Sequence, residues 1–317
     1  MKRMPRFLLA GLALGLLCAG SAHAAYPERT ITMLVAAGAG GSADVQARAF
    51  SSLLSKELNE TIIIKNLPGA GGTIGTAELN KAKPDGYTLA FQSMGAMVAQ
   101  PNLRKLPYPW DAFTAIAMVT SNPQTVMCTK AMPWKTFKDA YEDIKANPGK
   151  YVYISSSPGG ISHISQEAIF KTLGCDITHL PTRDTSAAGQ SLISGAGQIY
   201  CDPPTMIRQF DLVGLAVLSP ERSSLLPDVP TMKELGFTEV PDIVLWSGLF
   251  APANLPEDIR AKLEEATRKV VASEEFKKLC EGMFASPWFK DSKETTQIFH
   301  DDYAMFNELL TKLGFKQ

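Results

Sequence analysis

The sequence has no surplus of basic charge. Its 31 Lys and Arg residues face 32 Asp and Glu, a formal net charge of -1. Three of the cations, Lys2, Arg3 and Arg6, stand in the first 24 residues, which hold no acid; without them the balance is 28 basic against 32 acidic. A chain that neutralises a phosphate backbone carries the opposite bias, so nucleic acid is not an expected partner. Histidine is scarce, with four in 317 residues. None of the four stands in H-E-x-x-H or another tight metal-ligand spacing. There is no G-x-S-x-G nucleophile elbow and no G-x-x-x-x-G-K-[ST] phosphate loop. No C-x-x-C pair occurs, which removes redox and zinc-knuckle motifs. These absences give no support to hydrolase, metal or nucleotide-triphosphate chemistry; no catalytic residue, metal or cofactor is expected.

The composition is otherwise ordinary, 45% hydrophobic and 20% charged, which excludes a disordered polymer and a multispanning membrane protein. The N-terminus has the three parts of a secretory signal. Lys2, Arg3 and Arg6 supply charge, Phe7 to Ala19 is an apolar run, and Ala22-His23-Ala24 is a small-x-small cleavage pattern. The run is short for a bilayer-spanning helix. A soluble, exported, periplasmic protein beginning near Ala25 is expected. Cys18 falls in the segment removed, leaving Cys128, Cys175, Cys201 and Cys280. Export permits disulfides with three possible pairings, and buried free thiols fit equally well.

Along the mature chain strand-like and helix-like segments alternate. Thr30 to Ala36, Thr61 to Lys65 and Tyr87 to Gln92 read as strands, with a helix from Asp44 to Leu58 whose Val45, Ala49, Leu53 and Leu54 share a face. A second series follows: strands at Gln124–Thr129, Tyr151–Ser155, Gly197–Cys201 and Val213–Leu218, with helices opening at Thr136 and Ser162. Thr136 with Asp139, and Thr231 with Glu234, read as capping boxes, the latter for a short helix ending at Gly236. Asp242 to Phe250 is a late strand, and two helices, Pro256 to Cys280 and Ser292 to Leu313, close the chain. This alternation predicts parallel strands covered by helices, in two α/β lobes. Ligands of such folds bind at the C-terminal ends of the strands.

Three strand-to-helix turns are rich in glycine: Gly38-Ala39-Gly40-Gly41-Ser42, Gly69-Ala70-Gly71-Gly72-Thr73 and Ser157-Pro158-Gly159-Gly160. Glycine lets backbone N–H groups converge on a ligand, and the following helix adds a partial positive end. Turns of this kind hold a carboxylate or phosphate without a lysine or arginine. The first also fits the dinucleotide pattern G-x-G-x-x-A through Gly38, Gly40 and Ala43, but the next strand ends Ile64-Lys65-Asn66 without the acid that pattern needs. His163 lies just after the third turn, in reach of either a cleft or a structural hydrogen bond. Trp246, in the late strand, fits the core and an apolar cleft wall equally. Arg183 and Asp184 read as a mutual ion pair.

Several segments together carry a family resemblance. They are Gly40-Gly41-Ser42-Ala43-Asp44 with Ala47-Arg48, Asn66-Leu67-Pro68-Gly69-Ala70-Gly71-Gly72, Pro84-Asp85-Gly86-Tyr87-Thr88-Leu89, Leu226-Pro227-Asp228-Val229-Pro230-Thr231 and Trp246-Ser247-Gly248-Leu249. The chain resembles the extracytoplasmic solute receptors of tripartite tricarboxylate transporters, the Bug-type receptors. The resemblance implies a two-lobed type II periplasmic-binding fold, each lobe a mainly parallel sheet flanked by helices, with the cleft between them. Lobe 1 would be 25–124 plus 245–317 and lobe 2 would be 125–244, after a signal peptide at 1–24. It implies a monomeric receptor for a small carboxylate that works with membrane permease subunits. The implied pincer is Gly40, Gly41, Ser42 and Asp44 with Ala70, Gly71, Gly72 and Thr73, together with Ser93; the far lobe adds Ser157, Gly160, Ser162, His163, Thr182 and Asp202. Two segments depart from the family. Ala36-Ala37-Gly38-Ala39 lacks the usual proline, and Leu180-Pro181-Thr182-Arg183-Asp184 stands where Val-Pro-Tyr-Lys-Gly is usual, so the distal end of the ligand is left open. An exported sensor of carboxylate occupancy would use the same cleft; an exported enzyme would show turnover.

Overall fold

The computed structural model describes residues 26–315 apart from Ser157. The expected signal segment 1–24, its cleavage point at Ala24/Ala25, and Ser157 lie outside the described residues. The first series runs β1 (Ile31–Val35), α1 (Ser42–Leu58), β2 (Ile62–Asn66), α2 (Thr73–Lys81) and β3 (Thr88–Ser93). A π-helical turn, Gly95–Ala99, leads into the short α3 (Gln100–Leu103), and β4 (Phe113–Pro123) follows. The second series is β5 (Thr125–Cys128), α4 (Phe137–Ala146), β6 (Val152–Ser155), α5 (Ile161–Thr172), β7 (Thr178–Pro181), α6 (Thr185–Ile193), β8 (Ile199–Asp202), α7 (Thr205–Phe210) and β9 (Val213–Val217). The chain closes with β10 (Val244–Pro252), α8 (Glu257–Ala272), α9 (Glu274–Met283), β11 (Ser286–Lys290) and α10 (Ser292–Lys312).

Two sheets result, in the orders β11-β4-β10-β3-β1-β2 and β7-β6-β8-β5-β9. The strand–helix–strand units give the parallel pairs β1–β2, β1–β3, β6–β7 and β6–β8. The strands that pass between lobes pair antiparallel. β10 lies between β3 and β4, and β5 lies between β8 and β9. Both sheets are therefore mixed, because a strand returning from the other lobe arrives without a crossover helix. The fold is the two-lobed type II α/β architecture with helix-flanked sheets.

The first sheet is buried on both faces. Ile31, Met33 and Val35 face a cluster containing Phe50 of α1 and Leu263 of α8. Leu34 and Ala90 face the other way, into a cluster shared with Phe299, Phe306 and Leu310 of α10. That second cluster continues without a break into the other lobe through Val126, Tyr153, Ile164 and Ile169. α10 thus ties the lobes together; Lys171 Nζ donates to Leu313 O at 3.1 Å.

Three expectations need correction, and three strands were not expected. The buried face of α1 is Ala47, Phe50, Leu54 and Leu58 with Leu53, whereas Val45 is exposed and Ala49 half-buried. Phe50 is the bulky residue that decides the rotation of the helix. The segment from Pro256 to Cys280 is two helices, broken at Ser273, whose ψ of 143° is extended and whose Oγ accepts from Phe276 N at 3.1 Å. An N-cap serine starts a new helix there instead of continuing the old one. The box at Thr231 and Glu234 is closed, by bonds of 2.8 and 3.0 Å, but only a turn forms. Gly236, at φ +92°, ends it too soon for a helix. Finally β4, β7 and β11 carry no clear sequence signal and are strands only through their pairing partners.

The four cysteines among the described residues are free thiols; Cys128, Cys201 and Cys280 are buried and Cys175 partly so. Burial pushes the Cys128 and Cys280 thiols up to about 12, which makes them inert at neutral pH. Among the described residues no helix is long and apolar enough to cross a membrane.

Candidate ligand-binding cleft

A cavity of about 500 Å³ opens between the lobes. From the first lobe it meets Ser42, Ala43 and Gln46 of α1, Ser93 at the end of β3, and Met94 and Gly95 after it. The crossing strands give Asn122, Leu245, Trp246 and Ser247, and the second lobe gives Ile161, Thr185, Asp202, Pro203 and Thr205. Met283 and Phe284, after α9, complete the wall. The cavity therefore sits at the C-terminal ends of β1, β3 and β8, where an α/β sheet leaves a crevice.

The first glycine turn is fastened by Asp44. Its Oδ2 accepts from Gly40 N at 2.8 Å and from Arg48 Nε at 2.9 Å; its Oδ1 accepts from Asn66 Nδ2 at 2.9 Å. The Arg48 bond, with the Gly40 and Asn66 donors behind it, holds the Asp44 carboxyl down to about 2 against the cost of burial. The amide of Gly40 is thereby committed, and that of Gly41 reaches Gly38 O at 3.3 Å. The first-turn amides of Ser42 and Ala43, which belong to cleft-lining residues, have no intrahelical acceptor. Ser42 Oγ accepts from Gln46 Nε2 at 3.1 Å, and Gln46 Oε1 accepts from Thr120 Oγ1 at 2.8 Å, so α1 is pinned to β4.

The second glycine turn lies against the end of β1. Gly69, Ala70, Gly71 and Gly72 all have positive φ, at +121°, +49°, +67° and +96°. Gly72 N closes on Gly69 O at 3.0 Å, and Thr73 Oγ1 donates to Ala70 O at 3.1 Å. A Cβ at Gly72 would stand 2.8 Å from Ala96 Cβ and 3.2 Å from Ala36 O. One at Gly71 would meet the Gln100 side chain at 2.5 Å. This turn is wedged between the end of β1 and the π-helical turn, an irregularity common at functional sites. Ala70, Gly71, Gly72 and Thr73 are not among the residues lining the cavity.

In the second lobe the expected residues hold the third turn from behind. Ser162 Oγ accepts from Ser156 N at 2.9 Å, and His163 Nδ1 accepts from Gly159 N at 3.0 Å. Gly160 is the N-cap of α5. Thr182 bonds Ser155 O through both its amide, at 2.9 Å, and its hydroxyl, at 2.8 Å. His163 stacks on His179 with ring centres 4.0 Å apart, and His179 Nε2 pairs with Ser155 Oγ at 2.8 Å. Arg183 and Asp184 form an exposed pair, while Asp184 caps α6 by accepting from Ala187 N at 2.8 Å.

Of the expected site residues, then, Ser42, Ser93 and Asp202 line the cavity. Gly40, Gly41, Asp44, the second turn, Gly160, Ser162, His163 and Thr182 shape the loops around it. Trp246 is both core and wall: it is buried, lines the cavity and donates from Nε1 to Asp302 Oδ2 at 2.7 Å. Sequence reasoning missed Gln46, Asn122, Thr185 and Thr205. Gln46 was signalled by its i+4 spacing from Ser42. Asn122 lies on β4, and Thr185 and Thr205 open α6 and α7, elements without clear periodicity.

The fold is shared with known proteins. The family model for the tripartite tricarboxylate transporter family receptor, TctC, matches residues 46–315. The chain belongs to the TctC receptor family. The chain is 28% identical over 300 residues to the Bordetella pertussis protein BugT, covering 92% of this chain and 91% of BugT. A TctC solute-binding protein from Polaromonas, 26% identical, superposes with a TM-score of 0.82 over 90% of this chain and 99% of its own. MatC of Rhodopseudomonas palustris, solved with bound malate, is 27% identical, with a TM-score of 0.71 over 90% of this chain and 100% of MatC. TctC receptors are solute-binding proteins of Bug type, not enzymes, and bind small carboxylates.

Two predictions follow from the loops. Gly72→Ala places a side chain at φ +96° against Ala96 and Ala36; urea unfolding should show a loss of about 1–3 kcal/mol. Gly38→Ala, whose Cβ meets nothing within 4 Å, should change stability by less than about 0.5 kcal/mol. Burial, with the neighbouring His179 and Lys171 against an opposing Glu167, holds His163 below its usual value. A histidine kept neutral in the fold contributes fully above its unfolded value of about 6.5. That contribution is lost as pH falls through the lower folded value, because Nδ1 must then take a proton and drop the Gly159 amide. Unfolding measured between pH 7.5 and 5 should lose stability in the parent protein, with a smaller slope in His163→Ala; equal slopes would remove His163 as the cause.

Proposed function

We propose that this chain is a periplasmic receptor that captures a small organic carboxylate and delivers it to the membrane permease subunits of a tripartite tricarboxylate-type transporter. In this reading the signal peptide 1–24 is cleaved near Ala24/Ala25 and the mature protein acts as a monomer. Lobe 1 is 25–124 with 245–317, lobe 2 is 125–244, and a ligand touching both favours closure about the crossing strands. The observation that carries the reading is the cleft itself: the start of α1 meets a cavity that no lysine or arginine lines among the described residues. An anion there is held by helix-start amides and hydroxyls, which suits a carboxylate. Malate in MatC supports the same ligand class.

A thermal-shift panel of carboxylates on the mature chain tests this. A ligand at a hundred times its dissociation constant adds about 2.7 kcal/mol of stability. The expected outcome is a rise of several degrees in Tm for one class of acid, and none for inorganic phosphate or uncharged amides. A cooperatively folding, ligand-free sample that no carboxylate stabilises would overturn the proposal.

A further inference from the structure

Asp202 is the one ionisable side chain that lines the cleft among the described residues. It ends β8, is 9% exposed, and forms no ion pair with a described cation. Its Oδ2 accepts from the Tyr200 hydroxyl, and Thr185, another cleft residue, also bonds to it. Tyr200 is itself fully buried, so the carboxyl is held in place and not swept by solvent. Its register partner across the sheet is the uncharged Thr125.

Asp44 offers the contrast. It is also buried, but Arg48 cancels its charge and three donors, Arg48 among them, occupy its oxygens. Asp202 receives no such cancellation. Arg208, on the following helix, sits over the Phe284 ring at 5.2 Å. Removing a carboxylate from water without a cation is costly, and burial accordingly raises Asp202 to about 6. At pH 7.5 it is still mostly ionised. A second carboxylate brought near it would meet like charge with nothing to offset it. An ammonium or hydroxyl would instead give a charge-assisted hydrogen bond in a poorly solvated place.

We infer that Asp202 selects the far end of the ligand: the cleft takes a carboxylate that also presents a hydrogen-bond donor, an amino or hydroxyl group, in preference to an unsubstituted dicarboxylate. This rests on the receptor reading above and narrows it to amino- and hydroxy-acids. The carboxylate is met by the first-lobe amides, and the donor is met by Asp202 from the second lobe. Closure then requires both ends, so a ligand lacking the donor leaves Asp202 buried and unanswered in the closed state.

The test is titration calorimetry on the mature protein at pH 7.5 with matched series of three to six carbons: simple, hydroxy-, amino- and dicarboxylic acids. The expected result is that a donor-bearing acid binds at least about tenfold more tightly than the dicarboxylate of equal length. Comparing amino with hydroxyl acids separates an ammonium partner from a neutral one. In Asp202→Asn the preference should vanish or invert, since the amide keeps the size and loses the charge. The wild-type series decides the matter alone if that variant does not fold. Dicarboxylates that bind as tightly as their amino and hydroxy counterparts would overturn the inference and leave the receptor reading intact. So would an Asp202→Asn protein that folds and keeps the wild-type order. If no carboxylate binds at all, the receptor reading falls and this inference with it.

Discussion

The antiparallel ladder between β4 and β10 is the constraint on which the rest of the molecule depends. It runs from Val244↔Pro123 to Pro252↔Phe113, and its Val244↔Pro123 end is where the chain passes from one sheet to the other. Gln124 stands at that passage. Its amide donates to Ile243 O at 3.0 Å, its carbonyl accepts from Leu218 N at 2.8 Å, and Ile243 N donates to Leu218 O at 2.8 Å. Both crossings are thus bonded to each other by backbone. Alternation along β4 then divides the surroundings: Asn122 faces the cleft, while Ser121 and Pro123 face a hollow on the other side. Side chains on alternate faces follow from the strand period, so the hinge forms the floor of the site. Asn122 and Trp246 both stand on these strands.

Around that floor the loops are set by second-rank bonds. Glycine-rich turns are loose by composition, since glycine has the most backbone freedom to lose. Here each is restrained by a side chain from its own following helix: Asp44 for the first, Thr73 for the second, Ser162 and His163 for the third. The helix that offers its start to the cleft also carries the group that shapes the turn before it. A ligand then meets amides already in place, which reduces the ordering cost of binding.

The sequence made much of this legible, because the informative residues are local. Turn glycines and capping boxes act within a few positions, so Thr136 to Asp139 is read from spacing alone, whereas the bond from Gly40 to Asp44 emerges only in the folded turn. The family segments added the two-lobed plan. What was hidden depends on distant partners. β4 is a strand because β10 returns to it from more than a hundred residues away, and Asn122 becomes a cleft residue only through that pairing. Val45 looked like core and is exposed because Phe50 turned α1. Reading Gly71 and His163 at the site was a matter of place in the chain; neither lines the cavity, and they pack instead against Gln100 and His179.

The two buried aspartates show how burial alone fails to define a role. Asp44 is drawn to the low end of the carboxylate range by its bond to Arg48 and its other donors, and Asp202 is pushed to the high end by burial that its neutral donors only partly oppose. The Asp44–Arg48 pair is neutral as a unit, so its presence beside the first turn does not cancel the partial positive charge of the α1 start. A free carboxylate at position 44 would do so and would oppose an anionic ligand. The uncompensated charge stands instead in the other lobe, at the end of β8. The cleft is therefore polar along its own axis, attractive to negative charge at the α1 end and to donors at the Asp202 end. In the proposed receptor role, a ligand oriented by such a field reaches from one lobe to the other to satisfy it, and that requirement would couple recognition to closure.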